Sequence, residues 1–259
     1  YLGVSVIWLI VATFQNVIMS HEIQIPVESF PLVIISTAGL ILYYYGTLSA
    51  MKLGQVSIYY PIVRSSPIAI VIFSWLFLDV KYTNWTIVGI IIIFIGAVML
   101  QKSRISFLGN NKALCLAIMA MIGSACYSIS DAIAVQKIAP SVLLFYCYIL
   151  VSLILFFMVV FNNESTKNTL IYLLHQWKPN QHKILSAGLI SYSSYYLILV
   201  AFGLGADAAA VSAVRQASIP ISVLLAAYFL NENETFRRLG WASLIALGII
   251  ILARNDLST

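Results

Sequence analysis

The sequence predicts an all-α integral membrane protein, a 5+5 inverted-repeat bundle of transmembrane helices around a central cavity, with nine of the spans in this chain. Three observations lead there. Of 259 residues 61% are hydrophobic and 9% charged, with a mean hydropathy of +0.97, whereas a soluble domain carries about 25% charged residues. Apolar runs close to the roughly 20 residues that cross a bilayer recur at 1–19, 31–51, 57–78, 84–101, 113–136, 141–161, 184–204, 208–230 and 236–253. The two halves also echo each other. At an offset of 151, Tyr44, Tyr45, Leu48, Ala50, Leu53, Gly54, Val63 and Arg64 fall on Tyr195, Tyr196, Leu199, Ala201, Leu204, Gly205, Val214 and Arg215. One residue later in register, Ser66, Phe77, Leu78, Thr83, Gly96 and Leu100 fall on Ser218, Phe229, Leu230, Thr235, Gly248 and Leu252.

The first repeat is placed at 1–101 and the second at 113–254, joined by a linker at 102–112. The second repeat holds five spans and the first only four, and the chain opens on Tyr1 inside an apolar run. A first helix is therefore expected to be missing, and five, being odd, sends the second repeat into the bilayer inverted, as in many secondary transporters.

Helix 1–19 carries Gln15 and Asn16 near its end and leads into the loop HEIQIPVESF. Helix 31–51 ends in YYYGTLSA, and its copy places SYSSYY at 191–196, early to mid-span. Tyrosines at a span end form an interfacial belt, and those inside a span line a cavity; both readings stand at this point. Gly54 and Gly205 occupy matching turns into helices 57–78 and 208–230. Pro61, Pro67 and Pro220 each remove a backbone hydrogen bond there, so both helices are expected to bend near their arginines. Helix 84–101, with Gly89 and Gly96, and its copy 236–253 are expected to pack closely. Segment 162–183 reads as a long polar loop with a short amphipathic surface helix around 170–177.

Several function classes are disfavoured. Cys115, Cys126 and Cys147 are odd in number, lack C-x-x-C spacing and read as small apolar packing residues. His21, His175 and His182 lie in loops without metal-ligand spacing, so neither a metal nor a cofactor is expected. No Gly-rich phosphate loop, G-x-S-x-G or H-E-x-x-H pattern points to an enzyme. The net charge of +5 is dispersed and does not suggest nucleic-acid binding.

Arg64, Arg215 and Asp131 are the ionisable residues clearly inside spans, where a charge costs about 2.5–3.5 kcal/mol on insertion scales and marks a candidate functional site. Each arginine lies about eight residues into its helix, about 5–6 Å from the midplane at 1.5 Å per residue. Inversion puts the two on opposite sides, and Asp131 at the depth of Arg215, so an Asp131–Arg215 pair is expected. The partner of Arg64 is expected from the missing helix. Ser124, Tyr127, Ser128 and Asp131 share one helix face, and Ser212, Arg215, Ser218 and Ser222 another. Such stripes line a polar cavity or hydrogen-bond neighbouring helices.

With both arginines, the doubled five-helix pattern, GTLSAMKLGQVSIYYPIVRSSPIAIVIFSWLFLD, VAFGLGADAAAVSAVRQASIPISVLLAAYFLNE and the Tyr127–Asp131 segment YSISD, the chain resembles the drug/metabolite transporter superfamily, in particular its EamA-like ten-helix members. The resemblance covers almost the whole chain. It implies a basket of helices around a central cavity, alternating access, and export or exchange of small metabolites. The family's acidic residue after the fourth helix of each half is matched by Asp79 and, one residue out of register, by Glu232. Lysines and arginines crowd one face, which would place the C-terminus outside, whereas the resemblance implies both termini inside.

The expected function is a secondary active transporter of a small anionic or zwitterionic metabolite, an exporter or exchanger. Arg64, Arg215, Tyr60, Tyr127, Tyr195 and Ser218 are the expected substrate contacts, with Asp131 coupling transport to protons. A lipid-carrier flippase or a polytopic accessory protein is the alternative. A multi-pass protein of a bacterial inner membrane is expected; duplication makes a monomer sufficient and leaves a homodimer open.

Overall fold

A computed structural model describes residues 2–53, 62–101, 111–161, 166–218, 221 and 235–256. Gly54, Tyr60, Pro61, Pro220, Ser222, Glu232 and most of the 102–112 linker lie outside the described residues. The described chain is helical, with no strand among these residues: α1 Leu2–Ile18, α2 Phe30–Leu53, α3 Ser66–Phe77, α4 Asn84–Gln101, α5 Asn111–Ala134, α6 Pro140–Phe161, α7 Thr166–Gly203, α8 Ala208–Val214 and α9 Thr235–Asp256, with single 3-10 turns at Val27–Ser29 and Arg215–Ala217. In lipid a helix is one of two ways to satisfy every backbone N–H and C=O without water. Four segments, Val27–Ala50, Asn111–Ala134, Pro140–Phe161 and Trp177–Gly203, are long and apolar enough to cross a membrane; Leu2–Ile18, Ser66–Phe77, Asn84–Gly96 and Leu239–Ile251 are shorter apolar helices.

The expected loop over 162–183 is corrected by the structure. From Thr166 onward the chain is one 38-residue helix running through Pro179 to Gly203. At 1.5 Å per residue it is about 57 Å long, more than a bilayer core needs. A proline inside a helix frees the carbonyl four residues earlier. Here that is His175, whose exposure to solvent lets water take its carbonyl.

Helices of both repeats mix in each of two compact units. The first comprises 1–38 and 130–205. In it α1 packs on α6 and α7 through Gly3, Ser5, Trp8, Ala12 and Asn16, a stripe at helical spacing. Side chains such as Phe14, Phe161, Ile190 and Leu197 point outward, the arrangement lipid requires and water penalises. The Gln136 amide donates to the Phe202 carbonyl at 2.6 Å, one of the acceptors a helix end leaves open. Gly205 then turns the chain with φ +93°, a conformation L side chains rarely adopt.

The second unit comprises 39–129 and 206–259. There α2 and α5 meet backbone to backbone: a Cβ at Gly39 would lie 2.8 Å from the Gly123 carbonyl oxygen, and one at Gly123 would lie 2.7 Å from that of Gly39. The α4–α9 contact is reciprocal. A Cβ at Gly96 would lie 2.7 Å from Ile245 Cγ1, and one at Gly248 would lie 2.7 Å from Ile93 Cγ1. Both glycines and both isoleucines are related by the repeat offset of 152. Such an exchange of equivalent partners is what a local two-fold axis produces.

The close approach predicts its own test. Gly39→Val should lower stability by about 1–3 kcal/mol, the usual cost of forcing extra volume into a packed contact. Gly240, whose added Cβ meets nothing, should instead gain about 0.5–1 kcal/mol on Gly240→Ala. Thermal unfolding of the three proteins in one detergent compares them directly.

Candidate functional site

Asp131 sits near the end of α5 and is 2% exposed. An ionised carboxylate accepts only, and both oxygens are served by hydroxyls: Ser36 Oγ of α2 donates to Oδ1 at 2.5 Å, and the Tyr195 hydroxyl of α7 donates to Oδ2. Charge-assisted O–H···O bonds of this kind are short and strong. Cys147 of α6 donates its thiol to Ser36 Oγ at 3.6 Å, a weak bond that helps fix the serine. Cys147 is buried as expected, whereas Cys115 is exposed on α5.

Around Tyr195 lies an aromatic cluster. The Trp8 ring centroid is 4.4 Å from that of Tyr148 and 5.6 Å from those of Tyr192 and Tyr195. The Trp8 indole N–H donates to Ser191 Oγ at 2.9 Å, and the Tyr192 hydroxyl donates to Gln15 Oε1 at 2.6 Å. Buried Trp and Tyr carry a polar tip that must find a partner, and each of these does. Within SYSSYY, Tyr192 and Tyr195 are buried in this cluster.

The second unit holds the arginines. Each stands at an interruption of regular α-helix. Arg64 and Ser65 form a turn before α3, where Pro67 occupies the opening turn. Arg215 opens the 3-10 turn after α8. Arg215 Nη1 donates to the Tyr127 hydroxyl at 3.4 Å, and Ser124 Oγ donates to the same oxygen at 3.4 Å. Ser66 and Ser212 hydroxyls lie 3.3 Å apart. Ser218 is exposed, with its hydroxyl donating to the Arg215 carbonyl at 3.0 Å. The α5 stripe of Ser124, Tyr127, Ser128 and Asp131 is buried throughout.

The sequence reading did not name Gln216. Its side chain is 4% exposed, and its Nε2 donates to the Arg64 carbonyl at 3.4 Å and the Ser212 carbonyl at 3.3 Å. Its Oε1 has no hydrogen-bond partner among the described residues, a state that costs about 1–3 kcal/mol for a buried polar atom. Nor did it name Ser36, Trp8 or Tyr148. A lone serine or aromatic in an apolar run carries no signal until its neighbours are known. The structure thus brings Asp131 and Tyr195 together in the first unit, and Arg215 and Tyr127 in the second. The expected pairing of Asp131 with Arg215 joins residues of different units and stays an expectation.

Asp207 caps α8 by accepting from Ala210 N–H at 2.9 Å, the arrangement that favours Asp at a helix start. The Tyr82 hydroxyl donates to the same carboxylate at 3.4 Å. Burial pushes the Tyr82 phenol up to about 12, with Ser74 opposing and the Asp207 carboxylate reinforcing the shift. Asp79 is the acidic residue after α3; its φ of +51° and the Val80 N–H to Ser74 carbonyl bond of 3.2 Å make it the stop of that helix. Asp tolerates this left-handed conformation better than most residues.

The model of the EamA-like transporter family matches residues 1–101 and 111–254. The chain belongs to that family. It is accordingly a multi-pass membrane protein of a transporter fold, within the drug/metabolite transporter superfamily that the sequence resembles. A solved crystal structure aligns with 97% of this EamA-like chain and 88% of its own at a TM-score of 0.74 and 15% sequence identity. At that identity the likeness speaks for the fold alone. No curated protein matches the chain.

Tyr82 gives a pH prediction. A phenol whose folded-state value is raised from 10 to about 12 contributes stability that is complete below the unfolded value and is lost as pH rises through the folded one. Wild-type protein should therefore lose thermal stability relative to Tyr82→Phe above pH 10, the ordinary tyrosine value. Equal melting curves at high alkaline pH would contradict it.

Proposed function

We propose that this EamA-like protein is a secondary active transporter that moves a small anionic or zwitterionic metabolite across a bacterial inner membrane by alternating access, as an exporter or exchanger coupled to protons. The observation that carries the reading is the Asp131 carboxylate, buried in a membrane helix with a hydroxyl on each oxygen. An intramembrane carboxylate is costly and belongs to proton relays and ion pathways more often than to packing. Its partners make a proton change cheap in motion. When Asp131 takes up a proton on one oxygen, the hydroxyl facing that oxygen can turn from donating to accepting while the other goes on donating, with no displacement of a helix.

Arg64 and Arg215 supply the positive charge that a carboxylate or phosphate needs, and arginine offers a planar fork for such groups. Both stand at helix interruptions, where backbone groups are released from the helical ladder, as in the broken helices of transporters. Tyr60, Tyr127, Tyr195 and Ser218 complete the proposed substrate contacts, Tyr127 by holding Arg215 and Tyr195 by holding Asp131. Transport rather than catalysis is the role, with one chain sufficient for the pathway.

Two experiments test these roles. In proteoliposomes, Asp131→Asn should leave substrate binding in place and abolish the pH dependence of flux; proton-coupled flux surviving at the wild-type level would remove Asp131 from the coupling step. Arg64→Ala and Arg215→Ala should each erase the thermal stabilisation that a small organic acid gives the purified wild type, by about 2–5 kcal/mol of binding for a truncated buried charge contact. Stabilisation that persists in both variants would make the arginines structural.

A further inference from the structure

We propose that Gln216 is a specificity-determining residue, whose Oε1 accepts a hydrogen bond from an N–H or O–H group carried by the substrate beside its acid group. This rests on the reading of Arg64 and Arg215 as acid-binding residues. Three facts support it. Gln216 directly follows Arg215, and its Nε2 is hydrogen-bonded to the carbonyl of Arg64, so one side chain is tied to both arginine positions. Its orientation is dictated rather than arbitrary. Of the two ends of an amide only the nitrogen can donate, so the end that faces the Arg64 and Ser212 carbonyls at 3.4 and 3.3 Å is the nitrogen. The oxygen is thereby turned away from both, and it is left without a partner among the described residues, at a residue 4% exposed.

A buried acceptor with no donor is kept in few native structures without a purpose. A ligand that brings the donor removes the penalty only while bound, which converts the defect into selectivity. An acid with no neighbouring donor would leave Oε1 bare and be discriminated against, as sites built to hydrogen-bond a substrate group reject analogues that lack it. The inference goes past the charge of the substrate, for which the arginines argue, to the group standing next to that charge.

The test uses the full-length purified protein and three matched series of acids: leucine, phenylalanine and glutamate; their 2-hydroxy counterparts; and 4-methylpentanoate, 3-phenylpropanoate and glutarate. Ligand affinity is read from thermal stabilisation. Wild type should bind at least one amino or hydroxy acid about tenfold or more tightly than the matching unsubstituted acid. In Gln216→Leu that ratio should fall to near one, whatever happens to the absolute affinities. Should that variant fail to fold, the near-isosteric Gln216→Met takes its place. A preference that survives the loss of the amide overturns the role of Gln216 and leaves the arginine reading intact. Arg215→Ala should lose all three series; if it binds them as wild type does, the arginine reading falls, and the inference with it. No stabilisation of wild type by any acid has the same consequence. Comparison of the amino with the hydroxy series tells which donor the oxygen prefers.

Discussion

A buried carboxylate is the constraint on which the first unit depends. Asp131 comes from α5, and its oxygens are served from α2 by Ser36 and from α7 by Tyr195. Ser36 is in turn touched by Cys147 of α6, and the Tyr195 ring is held by Trp8 of α1. Five helices therefore converge on one charge. The outer surface needs no such specification, because lipid tails accept apolar side chains in any arrangement and supply no hydrophobic drive to bring helices together. Specificity has to come from inside, from directional bonds and from shape.

Shape governs the second unit. Gly39 and Gly123 place each other's backbone oxygen at distances no Cβ tolerates, and Gly96 and Gly248 admit the isoleucines of the opposite helix. The latter exchange is more than packing. Because the four residues are two pairs at one repeat offset, a substitution in one half of an ancestral duplicated unit would have been felt at the equivalent place in the other. Close contact of this kind also frees polar groups from competition: once backbones touch, the Ser66 and Ser212 hydroxyls and the Gln216 amide have few partners to choose from.

Much of this was legible in the chain. Composition and span length announced a helical membrane protein, and the echo of Arg64 in Arg215 announced the duplication before any coordinate. Helix order was legible because apolar runs and their punctuation survive without tertiary knowledge. The stretch after Thr166 was not. Its polarity reads as loop, but polarity excludes a segment from lipid, not from a helix, and the helix runs on through Pro179. The charged candidates, Asp131 in one unit and Arg64 and Arg215 in the other, were legible because charge is rare in a span. Their neutral partners were not. Ser36, Trp8 and Gln216 belong to residue types scattered throughout such helices, and only the meeting of distant helices selects them.

That asymmetry bears on mechanism. A carboxylate held by a fixed cation must break an ion pair in low dielectric before it can change protonation, at a cost that rises as water is excluded. Hydroxyl partners ask for less, since an O–H rotor donates to the charged form and accepts from the neutral one about the same heavy-atom positions. Ser36 and Tyr195 are partners of this second kind. They reach the carboxylate from α2 and α7, and the Tyr195 ring is itself packed by Trp8, which also stacks on Tyr148. Rigid rings and mobile protons divide the labour. The aromatic cluster keeps the geometry, and in the proposed coupling step a hydroxyl hydrogen would follow the proton.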